Sequence, residues 1–245
     1  MSIWSHNGSQ WDRVPFQHAP NFVPGILACP GPSLRALGDK LSGPGRFVLA
    51  VNTAYPTVPR PDAWVGMDKP EQFRPSLTRE QFPKYWRANH HKLLDRSGAP
   101  LFATPNSYFV DLAEAPYPDA IFQWRDNKTP CVWYRLTFQV GVHLLLKRGH
   151  RQLYFAGCDF SSGYCHEDLE LEEWQNKRNR ISYDGGLAWL RQFARRGAEL
   201  GIECYSLTPD SPINAFMEFV EFDDFERGLE VPKETSVSYV EAKKP

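Results

Sequence analysis

Four short apolar runs in this 245-residue chain each end in side chains able to handle a nucleotide. Pro30-Gly31-Pro32-Ser33 follows Gly25 to Cys29, Asn52 follows Arg46 to Val51, Asp68 follows Ala63 to Met67, and Asp159 follows the run Gln152 to Ala156. A strand that turns through Gly31 into a helix offers backbone N–H groups at the positive end of the helix dipole. There Gly31 admits a phosphate close to the backbone and Ser33 adds a hydroxyl. The plainer reading of the same loop is a helix N-cap with turn prolines. The Asn52 amide can read a base or a ribose hydroxyl. A carboxylate such as Asp68 or Asp159 can hold a ribose or a divalent cation. Each could singly cap a turn; four at successive strand ends point to a nucleotide site. Neither a phosphate-binding Gly-Lys-Ser/Thr nor a Gly-x-Gly-x-x-Gly run occurs.

Other candidates for chemistry lie further along. His166, beside Glu167 and Asp168, has the residue type of a general base at neutral pH, or is a surface-loop histidine. His90-His91 sits on a basic, aromatic stretch (Lys84, Tyr85, Trp86, Arg87, Lys92), which could face an acidic acceptor such as nucleic acid or simply be a solvated face. Cys158 and Cys165-His166 lack further paired ligands, so a metal centre is a poor reading. The five cysteines are scattered without a Cys-x-x-Cys pair, which argues against a disulfide framework and for a reduced, cytoplasmic setting.

These residues need elements to hold them. Gly25–Cys29, Arg46–Val51, Ala63–Met67, Gln152–Ala156 and Ile202–Ser206 read as buried strands. Helices are expected from Ser33, over Val132–Arg148 and over Leu187–Leu200, closed by Gly149 and Gly201. Leu101–Thr104 and Ala120–Trp124 are possible further strands. Strand, helix, strand, loop, strand at the start is the opening of a parallel α/β sheet. The expectation is a single-domain, Rossmann-like α/β fold, mostly parallel and flanked by helices. Residues 1–20 are an extension draped on the surface, 21–220 the nucleotide-binding domain and 221–245 a tail.

Composition agrees with a folded domain. The chain is 42% apolar, 14% aromatic and 23% charged, which suits a sizeable core and excludes wholesale disorder. A formal net charge of −1 gives no global attraction to nucleic acid. No apolar run reaches the ~18 residues of a membrane span, and the first residues lack the pattern of a signal peptide.

Ala28-Cys29-Pro30-Gly31-Pro32-Ser33-Leu34, then Ala50-Val51-Asn52, then Pro61–Asp68, resembles the MptE-like 6-hydroxymethylpterin diphosphokinase family. The same residues are similar to bacterial sialyltransferases whose first loop reads Gly-Asn-Gly-Pro-Ser-Leu and whose second strand ends in Cys-Asn. Gly157-Cys158-Asp159-Phe160 and Leu207-Thr208-Pro209-Asp210-Ser211-Pro212 match later motifs, so the resemblance spans about residues 24–68 and 132–215.

The resemblance implies a nucleotide-binding α/β domain. In the sialyltransferases the first loop and the amide after the second strand hold the cytidine nucleotide of a CMP-sugar, which carries over to Gly31, Pro32, Ser33 and Asn52. Thr137 falls where a serine near the phosphate would lie, and Tyr164 near tyrosines that steady the leaving phosphate. Two departures stand out: Pro30 replaces a nucleotide-contacting asparagine, and no histidine occurs in Asn179–Asp184, where the sialyltransferase base belongs. His166 is then the candidate base, with Tyr164 and Asp159 completing the catalytic set.

Three functions follow. The first is glycosyl transfer from a nucleotide sugar to a glycan, small molecule or modified nucleic acid, without a cofactor. The second is diphosphate transfer from ATP, needing Mg²⁺ on Asp68 and Asp159. The third is a nucleotide-binding protein that has lost its chemistry.

Overall fold

A computed structural model describes residues 3–15, 23–114, 117–122, 131–161, 163–165 and 173–230. The strands are β1 (Ile3–His6), β2 (Trp11–Val14), β3 (Gly25–Ala28), β4 (Phe47–Val51), β5 (Ala63–Gly66), β6 (Lys84–Arg87), β7 (Ser107–Val110), β8 (Leu112–Glu114), β9 (Cys131–Trp133), β10 (Gln152–Ala156), β11 (Glu203–Ser206) and β12 (Glu218–Phe219). The α-helices are α1 (Leu34–Leu41), α2 (Thr137–Arg148), α3 (Glu173–Ala198) and α4 (Phe222–Glu230). Ten strands form one sheet in the order β12-β11-β10-β3-β4-β5-β6-β7-β1-β2, and β8 pairs with β9. Every pairing from β12 to β7 is parallel; β1 joins β7, and β2 joins β1, in antiparallel fashion.

The period of two along the central strands sorts their side chains onto two faces. Leu27, Leu49, Val51, Val65, Leu153 and Phe155 pack with Phe138 and Leu144 of α2 and with Trp189 and Phe193 of α3. Ile26, Ala28, Val48, Ala50, Trp64 and Ala156 pack with Leu34 and Leu41 of α1 and with Phe222 and Phe225 of α4. Burial on both faces explains why these strands read as unbroken apolar runs. The expected Rossmann-like, mostly parallel α/β architecture is the one observed.

Several local expectations change. The start of the chain is a hairpin in the sheet, not a draped extension. Its turn is set by Asn7, whose Oδ1 accepts from the N–H groups of Ser9 and Gln10, and by Gly8 at φ 98°. Leu101–Ala103 and Pro118–Phe122 are short 3₁₀ turns instead of strands; within Leu101–Ala103 only Leu101 is buried. The expected helix over 132–148 begins at Thr137, because Gln139 Oε1 accepts from the N–H groups of Tyr134 and Leu136 and so closes the first turn. The basic, aromatic stretch at Lys84 is strand β6, with Lys84 and Trp86 fully buried. Lys84 Nζ donates to the carbonyls of Glu80 and Phe82. Beyond residue 220, Phe222 and Phe225 seat α4 on the core, a helix hidden in the sequence by the acids between them.

Candidate active site

Sheet order reverses between β3 and β10: the chain proceeds from β3 towards β7 on one side and from β10 towards β12 on the other. In open parallel sheets the crevice at such a switch point, outside the carboxyl ends of the strands, is where ligands bind. The two loops that border it are Pro30–Ser33, after β3, and Gly157–Phe160, after β10.

The two loops are locked together. Gly31 donates its N–H to the Gly157 carbonyl at 2.9 Å. Asp159 Oδ2 accepts from Ser33 Oγ at 2.9 Å and from Ser33 N at 3.3 Å. Burial pushes the Asp159 carboxyl up, and the two Ser33 bonds act against that shift. A Cβ on Gly31 would stand 2.0 Å from Asp159 Oδ2 and 2.4 Å from the Gly157 carbonyl oxygen. Gly157, at φ 66°, faces the Cys29 carbonyl as tightly. Only glycine permits that approach on either side.

This lock alters the expected chemistry of the first loop. The N–H groups of Gly31 and Ser33 are donated inward, as is that of Leu34, to the Gly31 carbonyl at 3.1 Å. The Ser33 hydroxyl serves Asp159 and not the helix start, where no side-chain cap forms. The loop therefore shapes the crevice wall more than it offers free donors to a phosphate.

A second strap crosses the loop from residues 163–165. Cys165 N donates to the Pro30 carbonyl at 2.8 Å. Arg35 Nε donates to the Cys165 carbonyl at 2.9 Å, and its Nη2 donates to the Tyr164 carbonyl at 3.2 Å. The Cys165 thiol receives Thr57 Oγ1 at 3.3 Å and lies 3.7 Å from the Thr53 carbonyl, so it also binds the turn after β4. Cys165 thus joins three strand-end loops, a role with no sequence signal beyond a cysteine. On the β11 side, Thr208 Oγ1 accepts from Cys158 N and Ser211 Oγ donates to the Cys158 carbonyl.

The other candidates are spread more widely. Asn52 begins the turn after β4 at φ 48°; its carbonyl accepts from Trp64 Nε1 at 2.7 Å, while its buried Oδ1 has no partner among the described residues. Asp68 is exposed beyond the end of β5, and its charge reaches Tyr164. Thr137 is buried at the start of α2, next to Phe138, whose ring meets Phe160 edge-on at 5.8 Å. Thr137 makes no side-chain hydrogen bond to these loops among the described residues. His166, with Glu167 and Asp168, lies outside the described residues. His90 is buried against the backbone of Asp68, and burial, then Arg87, lowers its pKa. His91 packs on His6 and Trp11, at 4.7 Å from each ring.

Sequence inspection missed Tyr183 and Asn179 of α3. Both stand beside the Tyr164 side chain, and Tyr183 meets Phe160 edge-on at 6.1 Å. Burial raises the pKa of both phenols, and the Asp68 charge adds to the shift at Tyr164. Both stay protonated near neutrality.

Backbone strain marks the same edge. Five described non-glycine residues have positive φ, and four of them, Asn52, Arg135, Phe160 and Asp210, stand in loops at the carboxyl ends of the strands or at the start of α2. Such conformations cost about 1–3 kcal/mol each and persist where surrounding structure fixes them.

As a Mg²⁺ site the acids fit poorly. Asp159 Oδ2 is committed twice to Ser33, and no group of three metal-ligating side chains gathers among the described residues. No described helix is long and apolar enough to cross a membrane.

No protein-family model matches this chain, and no curated protein does. Among solved structures it is similar to the sialyltransferase CstII from Campylobacter jejuni in complex with cytidine-5'-monophosphate, at 15% identity and a TM-score of 0.50, over 83% of this chain and 87% of that one. It is similar to the same sialyltransferase with a trisaccharide acceptor and CMP, at 18% identity and a TM-score of 0.50, over 82% and 87%. At these identities the likeness is one of fold: the chain has the α/β architecture of that sialyltransferase over most of its length.

Proposed function

We propose that this protein is a glycosyltransferase that takes its sugar from a cytidine-type nucleotide sugar. The observation that carries the reading is the switch point between β3 and β10, where the Pro30–Ser33 and Gly157–Phe160 loops are locked to each other and to residues 163–165. Two further points support it: the motif resemblance and a fold shared with a sialyltransferase solved with CMP.

In this reading the nucleotide lies at the carboxyl ends of β3, β4 and β10, beside the Pro30–Ser33 loop and the residues 163–165 that are tied to it. Asn52 Oδ1, without a partner among the described residues, accepts from a base amino group or a ribose hydroxyl. An acceptor hydroxyl, on a glycan in the nearest analogy, attacks the anomeric carbon as the bond from that carbon to the phosphate oxygen breaks. The leaving phosphate gains charge, and protonated phenols are suited to stabilise it by donating hydrogen bonds. Those phenols are already protonated near neutrality. His166, the candidate base of the sequence, takes the acceptor's proton in this scheme. The diphosphokinase reading lacks a fitting Mg²⁺ donor set among the described residues.

A thermal-unfolding panel of CMP, UMP, GMP and ATP, each with Mg²⁺ and with EDTA, tests the proposal. At ~100 times its Kd a ligand of the folded state adds about 2.7 kcal/mol of stability. CMP should stabilise the protein equally in EDTA. A shift confined to ATP with Mg²⁺ would move the assignment to diphosphate transfer, and no shift with any nucleotide would remove it.

A further inference from the structure

We infer that the groove between α3 and the β11–β12 edge of the sheet docks a second copy of this chain, the two copies being related by a twofold axis. The inference stands apart from the nucleotide reading, since it concerns another part of the molecule and is tested without a nucleotide.

The groove has a volume of about 670 Å³. On its helix side stand Arg191, Ala194, Arg195 and Ala198. Their spacing, i, i+3, i+4 and i+7, makes them a single stripe of α3. On its strand side stand Glu203 of β11, Glu218 of β12 and the half-buried Cys204 and Phe216. Leu200, between the lining residues Ala198 and Gly201 in the chain, is 44% exposed and adds to the apolar surface of this edge.

The two sides carry opposite charge, and all four charged side chains are exposed. Arg191 rests over the Phe216 ring at 5.3 Å. Neither it nor Arg195 forms an ion pair among the described residues, whereas the neighbouring Arg196 is paired with Glu199. Glu203 accepts from Gln152 Nε2, a neutral donor, at 2.7 Å. Neither Glu203 nor Glu218 has a cation beside it among the described residues.

An occupant that suits this groove offers carboxylates to α3 and cations to the strands. A uniformly acidic polymer or an anionic lipid surface would meet Glu203 and Glu218, and a basic partner would meet the arginines; like charges brought together count against each. A second copy has the required pattern. In an isologous contact the same patch meets itself reversed, so the carboxylates of each copy lie against the arginines of the other. The rings and small side chains of the groove supply the apolar part of the contact. Strand pairing between copies has little share in it. The edge strand β12 is two residues long and pairs with β11 only at Tyr205 and Ser206, and so short an edge is a poor template for another strand.

Sedimentation velocity on the full chain tests this, with the wild type, Arg191→Glu/Arg195→Glu and Glu203→Arg/Glu218→Arg. The wild type should be a dimer at ~50 μM. Each reversed variant sets like charges against each other in its own dimer, and should dimerise at least about tenfold more weakly. An equimolar mixture of the two variants should restore the dimer, because both contacts then join opposite charges. Melting temperatures identify a variant that fails to fold. Should one fail, the wild-type dimer still serves: exposed pairs are screened by salt, so its dissociation constant should rise several-fold between ~0.05 and ~0.5 M salt. A wild type that stays monomeric overturns the inference. So does a dimer unmoved by either reversal, which would lie on another surface. Folded variants that do not associate on mixing would show that the charges do not cross between copies, and would overturn it as well.

Discussion

The two halves of the sheet are held together by different physics. At the switch point, β3, β10 and β11 end in loops joined by directional polar contacts: Ser33 to Asp159, Cys165 to Pro30 and Thr57, Ser211 to Cys158. In the β5–β7 and β1–β2 half, the work is done by rings. Trp64 and Trp86 lie 4.5 Å apart with Phe73 against both, and His6, Trp11 and His91 cluster at 4.6–4.7 Å beside Phe102 and Phe109. Ring packing supplies stability with loose geometric demands. A hydrogen bond supplies little net stability but fixes positions to a few tenths of an ångström. Both halves carry packed core, and the switch-point half adds directional contacts that fix its loops.

Substitutions can break that division. Trp86→Ala empties a fully buried site and frees Ser107 from its bond to Trp86 Nε1. The expected cost is about 3–5 kcal/mol in denaturant unfolding, with CMP affinity unchanged wherever the protein remains folded. A parallel fall in affinity would show that the far half also shapes the site. Gly31→Ala tests the opposite end, since its methyl group would overlap Asp159 and the Gly157 carbonyl. We expect a loss of about 3 kcal/mol together with loss of CMP binding at any accessible concentration.

A finer probe is the Ser33–Asp159 pair, half-buried and charged. Ser33→Ala should cost about 1.5 kcal/mol. Combining it with Asp159→Asn should cost no more than the larger single loss, as a double-mutant cycle on one shared interaction requires. Additive losses would mean that the two side chains do separate things.

Acid probes the seam between the halves, where α2 covers β3, β4 and β5. Burial first, and the charge of Lys147 second, hold His143 of α2 down to about 3. Its folded-state pKa lies below the unfolded value of 6.5, so the unfolded chain binds the extra proton. The stability is whole above pH 6.5 and drains as pH falls from there towards 3, at about 1.4 kcal/mol per pH unit for that one proton. His143→Leu should flatten the slope of unfolding free energy between pH 6 and pH 4. An unchanged slope would place the acid sensitivity with the other buried imidazoles, His6, His90 and His150, whose pKa values are also lowered by burial.

The legible parts of the fold were those with a strong period. Gly25–Ala28, Phe47–Val51, Ala63–Gly66 and Gln152–Ala156 are unbroken apolar runs between turn residues, and each is a central strand. Lys84–Arg87 was illegible because its charge is buried by two carbonyls that only the fold supplies. The Phe222–Glu230 helix was illegible because two phenylalanines among acids carry little signal until Tyr154 and Arg46 are there to receive them.

At the site the division follows the range of the interactions. Residue types and local order determined that glycine, serine, asparagine and aspartate would stand at the ends of parallel strands, since strand periodicity and turn chemistry act over a few residues. Tertiary structure alone decided that Ser33 turns to Asp159, 126 positions away, that Cys165 ties three loops, and that a helix tyrosine and asparagine meet Tyr164. A hydrogen bond is specified by a few ångströms between two atoms, and one sequence carries no record of which distant atoms the folded sheet will bring that close.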